Sequence, residues 1–585
     1  MCGIFAILND TSLSNHFIYE QFNKGKNRGP EFSKLTTGGL KLKLGFHRLA
    51  INGLNDESNQ PINIGYITLI CNGEIYNYKE LYSLMNIEPK TDSDCEVIIH
   101  LYLKYGIEHT LQMLDGVFSF ILCDNTIVDS KSNEITQSNK LYIARDPYGV
   151  RPLYVLKHND STCKIVGFAS ELKCLSEFQS TDNNYYIKHF QPGTFSSYEL
   201  PFMALADWVS IKENYPYHST GFNSIVLSQN MLRDPAIDDI LLGIKNYFIK
   251  AVEKRCTTTE RPIACLLSGG LDSSLVTALV NKFRKDNLPN CEPLETYSIG
   301  LADSEDLKYA KIVANYLGTK HTEIILTERD FIDAIPEVIY AIESYDTTSV
   351  RASIGNYLLG KYITKNSEAK VIFNGDGSDE LCGGYLYMHK CPEAVEFDRE
   401  TRRLLKDIHI FDVLRSDKCI SSHGLEPRTP FLDRSWVQYY LSIDPRIRYH
   451  PGNSQCEKYL LRSAFSRVNF MTTDNNPLLP DSILWRRKEA FSDGVSKTTR
   501  SLFTIIEEYI DTLPVFETSQ SGVPAVTKEQ KYYKYIFEQH YPHASNIVPY
   551  YWMPKYVNAT DASARTLDIY NEMQTAEKKE LDLCA

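Results

Sequence analysis

The chain has 585 residues, with 74 acidic against 62 basic side chains and a formal net charge of −12 at pH 7. The length predicts two or more domains, and 43% hydrophobic with 23% charged residues is typical of a globular protein. The acidic balance argues against a nucleic-acid-binding surface, and no run of about 18 apolar residues is present to cross a membrane.

The 14 cysteines are scattered and form no CxxC pair. This pattern lacks the usual spacing of zinc and redox sites and favours free thiols in a reducing compartment. The N-terminal segment has no basic region followed by a signal-length apolar run, so we expect a cytoplasmic protein. The sequence leaves the oligomeric state open, and a homodimer is one prediction.

The chain begins with Met1, Cys2 and Gly3, followed by an apolar run. Met before a small residue is normally removed, which would leave Cys2 at the N-terminus. Such a cysteine carries a nucleophile and its own base, because an α-amino group with a pKa of about 7.7–8.0 can take the thiol proton near neutral pH. A cysteine at position 2 by chance is the simpler reading on its own, so the hypothesis depends on the segments that follow.

Runs with strand-like composition recur through the first 210 residues, separated by turn residues. They lie at 42–51, 66–72, 117–123, 141–144 and 165–169. They predict stacked antiparallel sheets. Segments with candidate chemistry lie at their ends: RGP at 28–30, GFHRL at 45–49, CNGEIYN at 71–77, SDCE at 93–96, RDPYGVRPLY at 145–154 and FASELK at 168–173.

The segment 208–230 is irregular and has little periodicity, and we expect the domain boundary there. Beyond it, runs at 263–267, 294–299, 322–326 and 370–373 read as strands. The segments 307–317, 331–341 and 353–362 read as helices. This alternation predicts an α/β domain with a parallel sheet, whose ligands bind at the carboxyl ends of the strands.

The glycine-rich segment SGGLDSS at 268–274 follows the first of these strands and opens a helix. Backbone N–H groups at a helix N-terminus suit phosphate, and Gly269 and Gly270 allow close approach. The hydroxyls of Ser268, Ser273 and Ser274 add donors. The segment lacks the lysine of a Walker A loop, and its acid, Asp272, suggests Mg²⁺ instead. An ordinary turn with Asp272 as a helix cap is the alternative.

A second polar loop, NGDGSDE at 374–380, follows the predicted strand at 370–373. Three acids and two glycines directly after a strand suit metal and substrate chemistry better than a plain turn. Together, these motifs from Cys2 to about residue 550 resemble the glutamine-hydrolysing asparagine synthetases. The resemblance implies a class II glutamine amidotransferase domain of the N-terminal nucleophile hydrolase type at 2–210, an ATP-pyrophosphatase-type synthetase domain at 211–555 and a tail at 556–585.

The resemblance implies a role for each matching residue of the first domain. Cys2 attacks the amide of glutamine, and Asn72 and Gly73 form the oxyanion hole. Arg48 grips the α-carboxylate of glutamine, while Asp94, assisted by Glu74, takes its ammonium group.

The second domain would use ATP and Mg²⁺ to adenylate the β-carboxylate of aspartate, and ammonia would then attack β-aspartyl-AMP. Asp272 and Asp379 would hold the metal, and Asp376 and Lys488 would be catalytic. The other residues implied to contact ATP are Leu266, Ser268, Gly269, Gly270, Ser273, Ser274, Ile299, Asn374 and Gly375. The residues implied to contact aspartate or phosphate are Thr348, Ser349, Arg351, Lys418 and Arg428.

Three positions depart from the family pattern. Glu31 replaces the aspartate of RGPD, and Asn374 and Asp376 replace the serine and glutamate of SGEGSDE. Two other functions stay open. A relative of β-lactam synthetase would activate another carboxylate, but such enzymes lack a working N-terminal glutaminase. The second alternative is a non-catalytic binding protein that has kept the fold without the activity.

Overall fold

The computed structural model describes residues 2–570, except 12, 37–40, 126–137, 161–163, 202–205, 221–236, 289–290, 454, 487, 489–493, 497–499 and 569. Within this part of the chain, no helix is long and apolar enough to cross a membrane. Most of the polar segment 124–140, which carries no predicted chemistry, and all of the predicted tail from 571 onward lie outside the described residues.

The first domain contains twelve described strands. They are β1 (Gly3–Leu8), β2 (Phe32–Thr36), β3 (Leu42–Arg48), β4 (Ile62–Ile64), β5 (Ile67–Ile75), β6 (Gly116–Asp124), β7 (Ser138–Arg145), β8 (Tyr154–His158), β9 (Val166–Ala169), β10 (Tyr185–His189), β11 (Thr194–Pro201) and β12 (Val209–Pro216). Its helices are α1 (Asn15–Asn23), α2 (Tyr78–Met85), α3 (Val97–Met113) and α4 (Ser176–Thr181).

These strands form two antiparallel six-stranded sheets, ordered β10-β8-β9-β1-β3-β2 and β12-β11-β7-β6-β5-β4. Alternation along β1 shows how they stack, because successive side chains of a strand point to opposite faces. Ile4 and Ala6 belong to the core between the sheets, where they meet Ile121 of β6. Phe5 and Ile7 face Phe22 of α1 on the outer side. The predicted stacked antiparallel sheets are confirmed.

The structure differs from the expectation at the end of this domain. The segment predicted to be irregular contains β12, which pairs with β11 at the edge of the second sheet. The boundary predicted at residue 210 therefore falls inside a strand. The periodicity is weak because β12 is exposed along nearly its whole length, so neither face carries a buried apolar set.

The second domain is built on a parallel sheet ordered β15-β14-β13-β16-β17, as predicted. The strands are β13 (Ile263–Leu266), β14 (Glu295–Leu301), β15 (Lys320–Leu326), β16 (Val371–Phe373) and β17 (Glu426–Arg428). The helices around it are α5 (Ile237–Thr257), α6 (Leu271–Asn287), α7 (Glu305–Leu317), α8 (Glu328–Ile342), α9 (Thr347–Asn366), α10 (Ser378–Cys382), α11 (Ala394–Asp407), α12 (Asp412–Ser421), α13 (Arg434–Ser442), α14 (Pro445–Arg448), α15 (Tyr459–Ala464), α16 (Asp481–Leu484), α17 (Leu502–Asp511) and α18 (Lys528–His540).

The two domains share apolar cores. One cluster joins Leu49 and Val150 of the first domain to Phe248 of α5. A second joins Ile7 and Phe178 to α8 and α18 of the second domain. Helix α12 also lies at this interface, where Arg28 Nη1 donates to Asp417 Oδ1 at 2.7 Å. The apolar contact holds the two predicted sites in one fixed arrangement.

The segment after residue 550 packs on the second domain instead of hanging free. Trp552, Leu567 and Tyr570 are buried in a cluster with Tyr387 and Phe397. The described part of the predicted tail is therefore an integral part of this domain.

Candidate active sites

Cys2 lies immediately before β1, an inner strand of the first sheet. Its backbone N–H donates to Asn72 Oδ1 at 3.1 Å, and its thiol donates to the carbonyl oxygen of Leu49 at 3.7 Å. Arg28 Nε donates to the carbonyl oxygen of Cys2 at 3.0 Å and fixes the other side of the residue. Burial raises the pKa of the Cys2 thiol, so formation of a thiolate requires a base at the site.

Asn72 and Gly73 lie on β5, which crosses beneath Cys2. Asn72 Nδ2 donates to Ser170 Oγ at 3.4 Å. At Gly73 a Cβ would lie only 2.5 Å from the carbonyl oxygen of Val117, so the close pairing of β5 with β6 admits no side chain there. The structure places Asn72 against Cys2, and Gly73 is the next residue of β5.

The guanidinium of Arg48 is fixed by a turn that follows β3. Its Nη1 donates to Asn55 O at 2.9 Å and to Asn59 Oδ1 at 2.7 Å, and its Nη2 donates to the carbonyl oxygens of Asn52 and Gly53. These partners are all neutral oxygens. They orient the guanidinium without neutralising it, which suits a carboxylate ligand.

Glu74 and Asp94 form a buried acidic pair beside this turn. Asn52 Nδ2 donates to Glu74 Oε2 at 2.7 Å and to Asp94 Oδ1 at 3.5 Å. Burial raises the pKa of Asp94 to about 6, and burial together with the charge of Asp94 raises the pKa of Glu74 well above its ordinary value. A ligand ammonium group would lower the pKa of both carboxyls, because a nearby positive charge favours the ionised carboxylates.

The second site is a cavity at the carboxyl ends of β13, β14 and β16. The residues of the sequence prediction that line it are Leu266, Ser268, Gly270, Asp272, Ser273, Ile299, Thr348, Asn374, Gly375, Asp376, Asp379 and Lys488. Two others support its wall: Ser274 is buried within α6, and Gly269 lies in the turn. The motifs meet because the carboxyl ends of parallel strands lie at one edge of the sheet.

The glycine turn after β13 is shaped by its own hydroxyls. Gly269 has φ of +73°, and a Cβ there would lie 2.4 Å from the backbone nitrogen of Ala310, so only glycine fits. Ser268 Oγ and Ser273 Oγ are 3.0 Å apart, and the backbone N–H of Ser268 donates to Ser273 Oγ at 3.2 Å. The turn thus presents the N-terminus of α6 to the cavity.

Asp272 and Asp379 converge on one point, which Lys458 Nζ occupies. This ammonium lies 2.8 and 2.7 Å from the two carboxylate oxygens of Asp272, and 2.5 Å from Asp379 Oδ1. Lys488 Nζ lies 2.6 Å from Asp379 Oδ2. Burial opposes ionisation of Asp379, but Lys458 and Lys488 hold the pKa of its carboxyl well below the ordinary value.

Asp272 and Asp379 are the two carboxylates that could bind Mg²⁺ carried by a nucleotide, since the ion commonly takes one or two protein carboxylates and completes its shell with phosphate oxygens and water. Lys458 Nζ lies between them, so the ion would replace this ammonium at the carboxylates. Among the described residues, no group of three or more His, Cys, Asp or Glu side chains is placed to hold a metal ion. Lys458 gave no sequence signal, because a lysine in an ordinary polar segment carries no motif.

Asp376 stands beside Arg415, whose Nη2 lies 3.4 Å from Asp376 Oδ1. Asn374, which replaces the serine of the family pattern, holds this loop by two hydrogen bonds. Its Oδ1 accepts from the backbone N–H of Asp376 at 3.3 Å, and its Nδ2 donates to Ser416 Oγ at 2.7 Å. Burial raises the pKa of Asp376.

Sequence reasoning missed a polar group at this end of the cavity. Tyr385 OH donates to Glu380 Oε1 at 2.5 Å and to Asp412 Oδ2 at 3.0 Å, and Arg415 Nη2 donates to Asp412 Oδ1 at 2.6 Å. Burial and the charge of Asp412 raise the pKa of Glu380 well above its ordinary value. A guanidinium beside paired acids suits a ligand that carries both a carboxylate and an ammonium group.

Four residues predicted to contact aspartate or phosphate lie elsewhere. Ser349 bonds to Asp346, which caps α9. The guanidinium of Arg351 is enclosed by Glu529 and Asp561. Neither Ser349 nor Arg351 is among the residues that line the cavity.

Lys418 and Arg428 lie at the domain interface rather than in the cavity. Lys418 Nζ contacts Glu343 and lies 3.1 Å from Glu171 Oε2. Arg428 Nε donates to Glu426 Oε1 at 2.8 Å, and Arg428 Nη2 lies 3.4 Å from Glu74 Oε2 of the first site. Neither residue, predicted as a ligand contact, lines the cavity, and both cations lie beside buried acids between the sites.

The third departure, Glu31, also lies near the interface. Its carboxylate accepts from the backbone N–H of Ala50 at 2.7 Å and pairs with Arg261 at 2.9 Å.

Comparison with known proteins gives matches over both domains. A sequence model described as glutamine amidotransferase domain matches residues 1–198, and one described as asparagine synthase matches 243–396 and 391–559. The glutamine-hydrolysing asparagine synthetase of Cricetulus griseus is 40% identical, with 98% of this chain and 100% of the relative covered.

Other relatives agree over similar lengths. The corresponding enzyme of Gallus gallus is 41% identical, covering 97% of this chain and 99% of its own, and that of Homo sapiens is 40% identical over 97% and 99%. A solved NMN synthetase from Francisella tularensis covers 55% of this chain at 12% identity and a TM-score of 0.23, too low to bear on the fold.

Proposed function

Since the chain belongs to the asparagine synthetase family and carries its glutamine amidotransferase domain, we propose that it makes asparagine from aspartate, glutamine and ATP. The products are asparagine, glutamate, AMP and pyrophosphate. The observation that carries the proposal is the joint presence of the two candidate sites in one chain, joined by a shared apolar core. A relative that activates another carboxylate would not need the first site.

Glutamine binds the first site by its two charged ends. Its α-carboxylate pairs with Arg48 and its ammonium group with Asp94 and Glu74, which directs the side-chain amide to Cys2. With Met1 removed, the α-amino group of Cys2 takes the thiol proton, and the thiolate attacks the amide carbon. The amide of Asn72 and the backbone N–H of Gly73 stabilise the resulting oxyanion.

Collapse of the tetrahedral intermediate breaks the carbon–nitrogen bond. The leaving nitrogen takes a proton from the α-ammonium group of Cys2 and departs as ammonia, leaving a thioester on Cys2. Water hydrolyses the thioester to glutamate and restores the thiol. Ammonia must reach the second site unprotonated, because ammonium ion is not a nucleophile.

In the second site, the polar group around Arg415 and Asp412 binds the α-substituents of aspartate. One β-carboxylate oxygen then attacks the α-phosphorus of ATP and pyrophosphate leaves. Lys488 and Lys458 neutralise the charge that develops on the phosphates. Asp272 and Asp379 would hold Mg²⁺ bound with ATP, and the ion would supply further neutralisation there.

Ammonia completes the reaction at the β-carbonyl carbon of β-aspartyl-AMP. The carbon–nitrogen bond forms, the bond from this carbon to the phosphate oxygen breaks, and AMP leaves, while the new amide nitrogen loses one proton to water. We expect Asp376 to contact this intermediate, taking the place of the glutamate in the family pattern.

The test is to incubate the purified protein with ATP, Mg²⁺, aspartate and glutamine labelled with ¹⁵N in its side-chain amide. Mass spectrometry should find labelled asparagine, glutamate and AMP in equal amounts. Formation of ADP in place of AMP would contradict adenylation, and glutamate without asparagine would leave only a glutaminase.

Two further predictions, on the cellular compartment and on the oligomeric state, accompany this function. The twelve cysteines of the described residues are all free thiols, which supports a reducing, cytoplasmic setting. A homodimer stays a prediction, which sedimentation equilibrium of the purified chain would decide.

A further inference from the structure

Lys418 lies on α12 with its ammonium group buried between the two domains. Besides Glu343 and Glu171, its Nζ donates to the backbone carbonyl oxygen of Ser170 at 3.4 Å. The ring of Tyr154 lies beneath the ammonium, 5.1 Å from Nζ to the ring centroid. A side chain of the synthetase domain thus donates a hydrogen bond to the backbone of the glutaminase domain.

Glu343 supports the same stretch from the other side. It ends α8 with a left-handed φ of 58°, a conformation that a non-glycine residue adopts at an energetic cost. Its carboxylate accepts from the backbone N–H of Leu172 at 2.8 Å and of Lys173 at 3.0 Å. The turn after β9 is therefore held by two side chains of the second domain.

Ser170 opens this turn and contacts the oxyanion hole. Its hydroxyl oxygen accepts from the backbone N–H of Ile4 at 3.1 Å and from Asn72 Nδ2 at 3.4 Å. Its own backbone N–H donates to the carbonyl oxygen of Ile4 at 3.0 Å. The amide of Asn72 has two hydrogens on Nδ2. One is directed to Ser170, which leaves the other for an oxyanion at Cys2.

We propose that Lys418, held by Glu343, is a positioning residue for glutamine hydrolysis: it fixes Ser170, whose hydroxyl orients the side-chain amide of Asn72. The inference rests on the proposed function, because it assigns Asn72 to the oxyanion hole. It gives the synthetase domain a direct part in shaping the glutaminase site. The role is distinct from the contact with aspartate or phosphate that the sequence suggested for Lys418.

A purely structural role would be to neutralise buried acids, and Lys173 provides the matched control for it. Lys173 Nζ lies 2.8 Å from Glu171 and 3.4 Å from Glu343, so it serves the same two carboxylates. Its ammonium lies over the ring of Tyr340, 4.8 Å from the centroid. Loss of either lysine removes one charge from the cluster, but only Lys418 reaches the serine.

The experiment compares Lys418→Met, Lys173→Met, Ser170→Ala and the Lys418→Met/Ser170→Ala double variant in the full chain. Each is assayed for glutamine hydrolysis, for asparagine synthesis from ammonium chloride and for thermal unfolding. Lys418→Met and Ser170→Ala should each lower kcat for glutamine at least about tenfold with little change in KM, since loss of a whole oxyanion donor costs about 10²–10³.

The controls separate positioning from stability. Lys173→Met should shift the unfolding midpoint as much as Lys418→Met yet keep kcat for glutamine within about twofold. The double variant should be no slower than Ser170→Ala alone, because coupled residues are not additive. Lys418→Arg, which keeps the charge and a donor, should restore most of kcat.

Three results would overturn the proposal: an unchanged kcat in Ser170→Ala, equal losses in the two lysine variants, or additive losses in the double variant. If Lys418→Met does not fold, Ser170→Ala and Lys418→Arg still decide, because both leave the charges in place. A wild-type chain that hydrolyses no glutamine would instead refute the proposed function.

Discussion

The ammonium group of Lys458 lies 2.7 Å from the carboxylate of Asp272, the acid of the glycine turn. Lys458 itself has a left-handed backbone, with φ of 59°, and its side chain is almost fully buried. This burial places the ammonium at the end of the cavity where the proposed function puts the phosphates of ATP.

We predict that Lys458→Met lowers AMP formation by about 100-fold or more, because the charge on pyrophosphate loses its nearest buried cation. The measurement is AMP produced with aspartate, Mg²⁺ and ammonium chloride. Glutamine hydrolysis serves as the internal control and should persist. An AMP rate equal to that of the parent would remove Lys458 from the site.

Cys2→Ala should abolish glutamine hydrolysis while synthesis from ammonium chloride continues. The two chemistries lie in different domains, and alanine removes only the sulfur from a residue whose backbone contacts remain. Glutamate release and asparagine formation are measured in parallel. Retained glutaminase activity would refute the nucleophile assignment.

Asp272→Asn and Asp379→Asn should each greatly weaken Mg²⁺-dependent ATP cleavage without unfolding the chain. Each removes one of two converging carboxylates, so the metal is under-ligated and more Mg²⁺ is needed for half-maximal rate. A titration of AMP formation against Mg²⁺ measures the effect. Asp306→Asn, which changes another acid of the cavity wall, controls for loss of charge. An unchanged Mg²⁺ requirement would rule out the metal assignment.

Asp376→Ala should lose asparagine synthesis from either nitrogen source while the glutaminase still turns over. Asp376→Glu adds one methylene, and we expect it to be tolerated best together with Asn374→Ser, because Asn374 bonds to the backbone of Asp376 and the two changes are coupled. Ammonia-dependent synthesis in both single variants and the double variant measures this. Normal synthesis by Asp376→Ala would make the loop purely structural.

The pH dependence of glutamine use should report Asp94. Burial raises its pKa from 3.8 to about 6, so the ionised form that attracts the substrate ammonium is lost as pH falls through that value. We expect kcat/KM for glutamine to fall by up to about tenfold per unit below about pH 6, as titration of one essential group requires. The same raised pKa means that protonation of Asp94 favours the folded state at low pH. A flat profile down to about pH 5 would contradict an ionised Asp94 in binding.

Much of the fold and of both candidate sites follows from short sequence segments, each of which determines its own local backbone structure. Strand alternation and turn residues predicted the stacked sheets and the parallel sheet, and the observed strands agree with those runs. The SGGLDSS turn and the acid loop were predicted to meet because both directly follow parallel strands. Asn72, Gly73 and Cys2 stood out through the motifs around them.

Tertiary structure alone decided which charged side chains serve which site. Lys458 joins Asp272 and Asp379, although 79 or more residues of chain separate it from either. Lys418 and Arg428 carry the same charge and lie in motif-like sequence, yet they neutralise acids between the domains. The reason is physical: a motif fixes local backbone geometry, whereas the partner of a long cationic side chain depends on which distant carboxylates are buried beside it after folding.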